Sequence, residues 1–231
     1  MSFDFAFLTS GNYGALILGG VLMTFRLFAS AWVLGMLIAL VLVGLRGVPL
    51  KPFQWLLSLL IEYHRNVPTV VQIMVWYFGM PQILPKELRI WLNQGDTEFM
   101  FAMIALALNV SAFMAQDILS GMRAIPSTQV EAARSVGLSV LMTLRYVTLP
   151  QAIRIAVPPL VNRSLILFKD TSLAMVIGVG ELTYQVRAIE NLTFRSFEVF
   201  AVATGVYLSA ALILMATGAV FARRFPADFR R

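Results

Sequence analysis

Five apolar stretches, each long enough to cross a bilayer, dominate this 231-residue chain and leave few architectures open to it. A helix needs about 20 mostly apolar residues to traverse the hydrocarbon core, and a spanning segment must satisfy its backbone polar groups internally. The stretches run over about 14–45, 53–79, 99–119, 152–180 and 199–222. With 59% hydrophobic and 13% charged residues and a mean hydropathy of +0.79, the composition is that of a polytopic membrane protein rather than a soluble globule. The expected fold class is therefore an all-α polytopic membrane protein with five transmembrane helices. Residues 1–231 form one domain in this reading, without linker, repeat or low-complexity segment.

Charge placement sets the expected orientation. Arg46, Lys51, Arg123, Arg134, Arg145, Arg154, Arg223, Arg224, Arg230 and Arg231 fall on one side of a five-span layout, against Lys86, Arg89, Arg187 and Arg195 on the other. The positive-inside rule then gives an outside N-terminus and a cytoplasmic C-terminus. It also accounts for the net charge of +6 without invoking nucleic acid. The N-terminal Met1-Ser2-Phe3-Asp4-Phe5 lacks the basic region of a signal peptide, so the first span is expected to be retained. The chain has no cysteine and a single histidine, His64, which removes disulfides, thiolate metal sites and multi-histidine zinc sites. No cofactor is expected in this chain.

Polar residues within apolar stretches are costly, about 2.5–3.5 kcal/mol each for a charge at the bilayer centre, and so face a bundle interior or a cavity. Arg163 and Asp170 stand seven apart in the fourth stretch, two turns along one face, and Asn162 and Lys169 repeat the spacing. Thr171 and Ser172 follow directly. Pro158 and Pro159 are expected to bend or loosen this helix and free carbonyls near a cavity. Arg65 and Gln72 share the seven-residue spacing in the second stretch around Pro68, as do Asn109 and Gln116 in the third. A translocation path lined by Arg65, Gln72, Asn109, Asn162, Arg163, Asp170, Thr171 and Ser172 explains the pattern. Pairing between spans explains it equally well. Glu62 and His64 read as helix anchors near the cytoplasmic boundary.

Between the third and fourth stretches lies a polar segment of about residues 120–150. Thr128 and Glu131 match a T-x-x-E capping box, and Gly137 suits the left-handed position that ends a short helix. Val130, Ala133 and Val136 make a small apolar stripe on that helix, suited to a partner's groove.

The run Glu131-Ala132-Ala133, with Gly137 four residues on and Leu149-Pro150 a dozen residues beyond, resembles the EAA loop of ABC importer permeases. Glu62-x-x-Arg65-x-x-Pro68 and Lys169-Asp170-Thr171-Ser172-Leu173 look like stretches of the polar amino-acid permeases of ABC uptake systems, most closely the glutamate/aspartate type. His64 stands where many relatives carry Phe. The resemblance covers nearly the whole chain. It implies an ABC importer permease fold in a bacterial cytoplasmic membrane, with a cytoplasmic coupling helix carrying Thr128, Glu131, Ala132, Ala133, Arg134 and Gly137. It implies as partners cytoplasmic ABC ATPase subunits that hold ATP and Mg, a second permease copy or paralogue, an extracytoplasmic solute-binding protein, and lipid. The chain has no G-x-x-x-x-G-K-[ST] phosphate loop, so it is expected to be a transport subunit and not itself an ATPase. Arg163 as a bidentate carboxylate receptor leans the substrate toward glutamate or aspartate. Two other classes compete. An ATP-independent secondary carrier could couple ions through the same charges, although no inverted repeat is visible. A membrane scaffold without transport needs no such site.

Overall fold

A computed structural model describes residues 4–9, 12–92 and 95–224. Arg230 and Arg231, two of the arginines in the orientation argument, lie outside the described residues. Among the described residues the chain is helical without strands: α1 (Tyr13–Leu45), α2 (Lys51–Asn66), α3 (Thr69–Met74), α4 (Met80–Ile83), α5 (Lys86–Leu92), α6 (Thr97–Arg123), α7 (Ser127–Ser135), α8 (Val140–Thr143), α9 (Leu149–Asp170), α10 (Leu182–Thr193) and α11 (Ser196–Arg224). Five-residue π segments, Val75–Gly79 and Leu144–Thr148, join α3 to α4 and α8 to α9, and a 3₁₀ run, Thr171–Ile177, continues α9.

Four helical stretches are long and apolar enough to cross a membrane: Tyr13–Leu45, Thr97–Arg123, Val140–Ile177 and Ser196–Phe221. The second stretch expected from the sequence is not one helix. It divides at Val67, whose extended backbone (φ −84°, ψ 131°) separates α2 from α3. Pro68 causes this: its ring clashes with a helical predecessor and drives Val67 out of the helical region. Pro158 and Pro159, in contrast, lie within a helix assigned continuously from Leu149 to Asp170, so the expected loosening does not interrupt α9.

α6 is the axis of the bundle, packed by α1, α2, α3 and α9. The buried face of α1 (Gly20, Thr24, Leu27, Ala31, Gly35, Ala39 and Leu42) repeats every three or four residues, a seam rich in small side chains. At Gly35 the reason for glycine is direct, since a Cβ would stand 2.5 Å from Val110 Cγ1 and 3.1 Å from the Ala107 carbonyl on α6. Trp32 Nε1 donates to Ser164 Oγ at 2.8 Å and ties α1 to α9. Phe168, fully buried, packs its ring against Phe25, Phe28 and Tyr207, joining α9 to α1 and α11.

Candidate functional site

The break at Val67 opens the interior of the bundle. A cavity of about 300 Å³ lies there, walled by the end of α2, the start of α3, the middle of α6 and the upper half of α9. Of the eight residues expected on a path, it brings together Arg65, Asn109, Arg163 and Asp170. Sequence reasoning missed Thr69, which donates to Asp170 Oδ2 at 3.2 Å, and Phe113, whose ring lies under both arginines. Asn109, Phe113 and Asp117 follow at i, i+4 and i+8 on α6, a helical stripe the sequence does display.

Each arginine lines the cavity and is anchored to a carboxylate outside its wall. Arg163 Nε donates to Asp117 Oδ2 at 2.9 Å, and its guanidinium carbon lies 4.4 Å over the Phe113 ring. Arg65 Nη1 donates to Glu62 Oε1 at 2.8 Å, with its guanidinium carbon 5.5 Å from the same ring. Arg65 Nε is buried, with no hydrogen-bond partner among the described residues, so it faces protein rather than the open cavity. Among the described residues, Asp170 is the one carboxylate on the wall. Two cations and one anion around a small aromatic floor suit a zwitterion bearing an additional negative charge.

The other four expected residues stand elsewhere. Gln72 is fully buried and spends its amide on the helix break, donating to the carbonyls of His64 (3.0 Å) and Val67 (2.8 Å) and accepting from His64 Nδ1 (2.7 Å). Pairing it with Arg65 by seven-residue spacing fails because α2 and α3 are not one helix. His64 is accordingly a buried partner of Gln72 rather than a boundary anchor. Asn162 is exposed, because one residue before Arg163 is 100° around the helix. Thr171 is fully buried and donates to the Phe168 carbonyl at 2.7 Å. Ser172 lies with Lys169 along a separate open depression against α11.

The second candidate surface is α7. It starts at Ser127 behind Pro126, and Thr128 is already inside the helix without a capping bond. The expected Thr128–Glu131 capping box is therefore not formed: proline occupies the cap position, and Thr128 starts two residues too late. Gly137 behaves as expected, with φ +88°. Leu138 N bonds to the Ala133 carbonyl (3.2 Å) and Gly137 N to that of Arg134 (3.0 Å), the paired bonds of a Schellman end. Arg134 Nη1 donates to the Leu138 carbonyl at 3.2 Å, bracing the same turn. Ala133 is buried, whereas Thr128, Glu131 and Ala132 are exposed. Val136 (79% exposed) does not pack inward with Ala133 and joins Val140 and Leu141 in an uncovered apolar patch. Gln151 Nε2 donates to Gln129 Oε1 at 2.6 Å, a direct tie between α7 and α9.

Residues 31–225 match the family described as binding-protein-dependent transport system inner membrane component. The chain is 31% identical to the L-cystine transport system permease protein TcyB of Bacillus subtilis over 206 residues, 89% of this chain and 82% of that one. It is 29% identical to the glutamate/aspartate import permease protein GltJ of Escherichia coli K12 over 212 residues, 89% of this chain and 86% of the other. A crystal structure of an amino acid ABC transporter with histidines contains a chain 31% identical to this one. The two superpose with a TM-score of 0.84 over 97% of this chain and 100% of the other.

Proposed function

The chain belongs to the binding-protein-dependent transport system inner membrane components, as a polar amino-acid ABC permease with the fold of that group, and from that premise we propose that it is the membrane subunit of an ATP-driven importer for glutamate or aspartate. The observation that carries the substrate is the charge pattern of the cavity, with Arg65 and Arg163 on its wall against the carboxylate of Asp170. Arg163 keeps its Nη donors after pairing with Asp117 and takes one substrate carboxylate. Arg65, on the same wall, offers its guanidinium to the second, and Asp170 takes the α-ammonium. A cationic side chain would meet two guanidiniums in this space and is disfavoured.

Energy reaches the cavity from outside the chain. An ABC ATPase pair holding ATP and Mg docks on α7 and on the exposed Val136, Val140 and Leu141 patch beside it. Glu131 and Arg134 contribute the polar rim. Gln129 and Gln151 pass its displacement to α9, which carries Arg163 and Asp170. A second permease and an extracytoplasmic binding protein complete the assembly in the bacterial cytoplasmic membrane.

The test is uptake into lipid vesicles containing the permease, its ATPase and its loaded binding protein. Glutamate or aspartate should accumulate with ATP and outcompete glutamine and arginine. Uptake without ATP supports the carrier reading, and preference for arginine removes the acidic assignment.

A further inference from the structure

The break between α2 and α3 strands carbonyls that a continuous helix would use, and the chain repairs it with three side chains. The Gln72 amide donates both of its hydrogens, one to the His64 carbonyl and one to the Val67 carbonyl. Its oxygen is then the acceptor toward His64, so His64 Nδ1 carries a hydrogen and donates at 2.7 Å. Asn109 Nδ2, from α6, donates to the same His64 carbonyl at 2.8 Å and uses its second lone pair. Gln72 is fully buried, His64 6% exposed and Asn109 9% exposed, so these bonds lie away from bulk solvent.

Arg65 lies between the two clasped carbonyls, those of residues 64 and 67. We propose that His64, Gln72 and Asn109 are positioning residues: their closed set of hydrogen bonds fixes the backbone on both sides of Arg65 and presents its guanidinium to the substrate cavity. The inference rests on the importer reading above. The clasp locks α2, α3 and α6 into one rigid corner, and two of the five wall residues between α2 and α3, Arg65 and Thr69, leave from its two ends. It also orients Asn109. With one Nδ2 hydrogen committed to His64, its oxygen is oriented away from that carbonyl and can accept from a ligand N–H. His64 is the member with a distinguishable substitution, because asparagine places an N–H donor where Nδ1 stands and phenylalanine fills the space without one.

Two readouts separate positioning from mere folding. In the first, radiolabelled glutamate is titrated onto the permease–ATPase complex without binding protein, and Kd is taken per folded molecule. His64→Phe leaves the Gln72 oxygen unpaired and should weaken binding about tenfold, while His64→Asn should stay within about twofold of wild type. A merely structural His64 would change the yield of folded complex and leave Kd alone. In the second, the natural absence of cysteine lets Val67→Cys report on the corner through its alkylation rate. That rate should rise several-fold with His64→Phe and not with His64→Asn. Wild-type binding with an unchanged Kd in His64→Phe overturns the clasp. If wild type binds neither glutamate nor aspartate, the substrate assignment fails instead, and unchanged Val67→Cys alkylation then overturns the clasp by itself.

Discussion

Arg163 Nε and Asp117 Oδ2 are 2.9 Å apart across the α6–α9 interface, and the same guanidinium lies 4.4 Å over Phe113. One side chain thus joins two helices and faces the cavity. The geometry needs arginine: its fork holds the ion pair through Nε while the Nη donors stay apart from it, and its plane stacks on the ring, whereas an ammonium gathers its donors at one point and has no plane.

Arg163→Lys should therefore keep most of the stability and lose substrate affinity, while Arg163→Ala loses both. The alanine variant strands the Asp117 carboxylate, whose side chain is 16% exposed, at a cost of about 2 kcal/mol. Thermal unfolding in detergent micelles reads the stability, and glutamate titration reads the affinity. Equal affinities for wild type and Arg163→Lys would show that the guanidinium does not touch the substrate.

Asp170→Asn isolates charge from structure. Asparagine keeps an oxygen for the Thr69 hydroxyl, now 3.2 Å from Asp170 Oδ2, so α3 stays joined to α9. The unfolding midpoint should hardly move, while uptake of glutamate falls by about a hundredfold as the ammonium loses its counter-charge. Undiminished uptake would exclude Asp170 as the ammonium receptor.

Gly35→Ala should push α1 away from α6, because the new methyl would stand 2.5 Å from Val110 Cγ1. Overpacking of this kind costs about 1–3 kcal/mol. Shortening the neighbour makes room, so Gly35→Ala with Val110→Ala should recover part of the lost unfolding midpoint. Additive losses in the double variant would show that the 3.1 Å approach to the Ala107 carbonyl governs the spacing instead.

What the sequence displayed depended on whether spacing along a helix survived folding. α1, α6, α9 and α11 were legible because unbroken apolar runs have one outcome in a membrane. Arg163 and Asp170 share the cavity because α9 is continuous between them. Gln72 was misplaced by the same rule, since Pro68 resets the helical phase between it and Arg65. Its role as a repair for stranded carbonyls is visible only once the extended residue at 67 is known. Thr128 matched a capping pattern that Pro126, by starting the helix earlier, made irrelevant. The family resemblance reached the fold and the transport class. Phe113, the cavity's floor, sits on a stripe of α6 that the sequence displays, but its contacts with Arg65 and Arg163 are between helices and no single-chain periodicity encodes them.

Gly137 separates the geometry of the coupling turn from its contacts. Its φ of +88° is a conformation side chains rarely adopt, yet nothing lies within 4 Å of where a Cβ would be. Any penalty for substitution is therefore backbone strain alone, about 1–2 kcal/mol for alanine or valine and less for asparagine. That cost falls on the turn and not on the bundle, so Gly137→Val should leave the unfolding of α1, α6 and α9 unchanged. The Schellman bonds to Ala133 and Arg134 would loosen, and α7 would no longer hold its angle to the Gln151 contact on α9. Binding-protein-stimulated ATPase activity of the assembled complex should drop about tenfold in Gly137→Val and remain near wild type in Gly137→Asn. If both variants keep full stimulation, the turn does not carry the ATPase stroke, and the exposed patch of Val136, Val140 and Leu141 would have to carry it without a fixed α7.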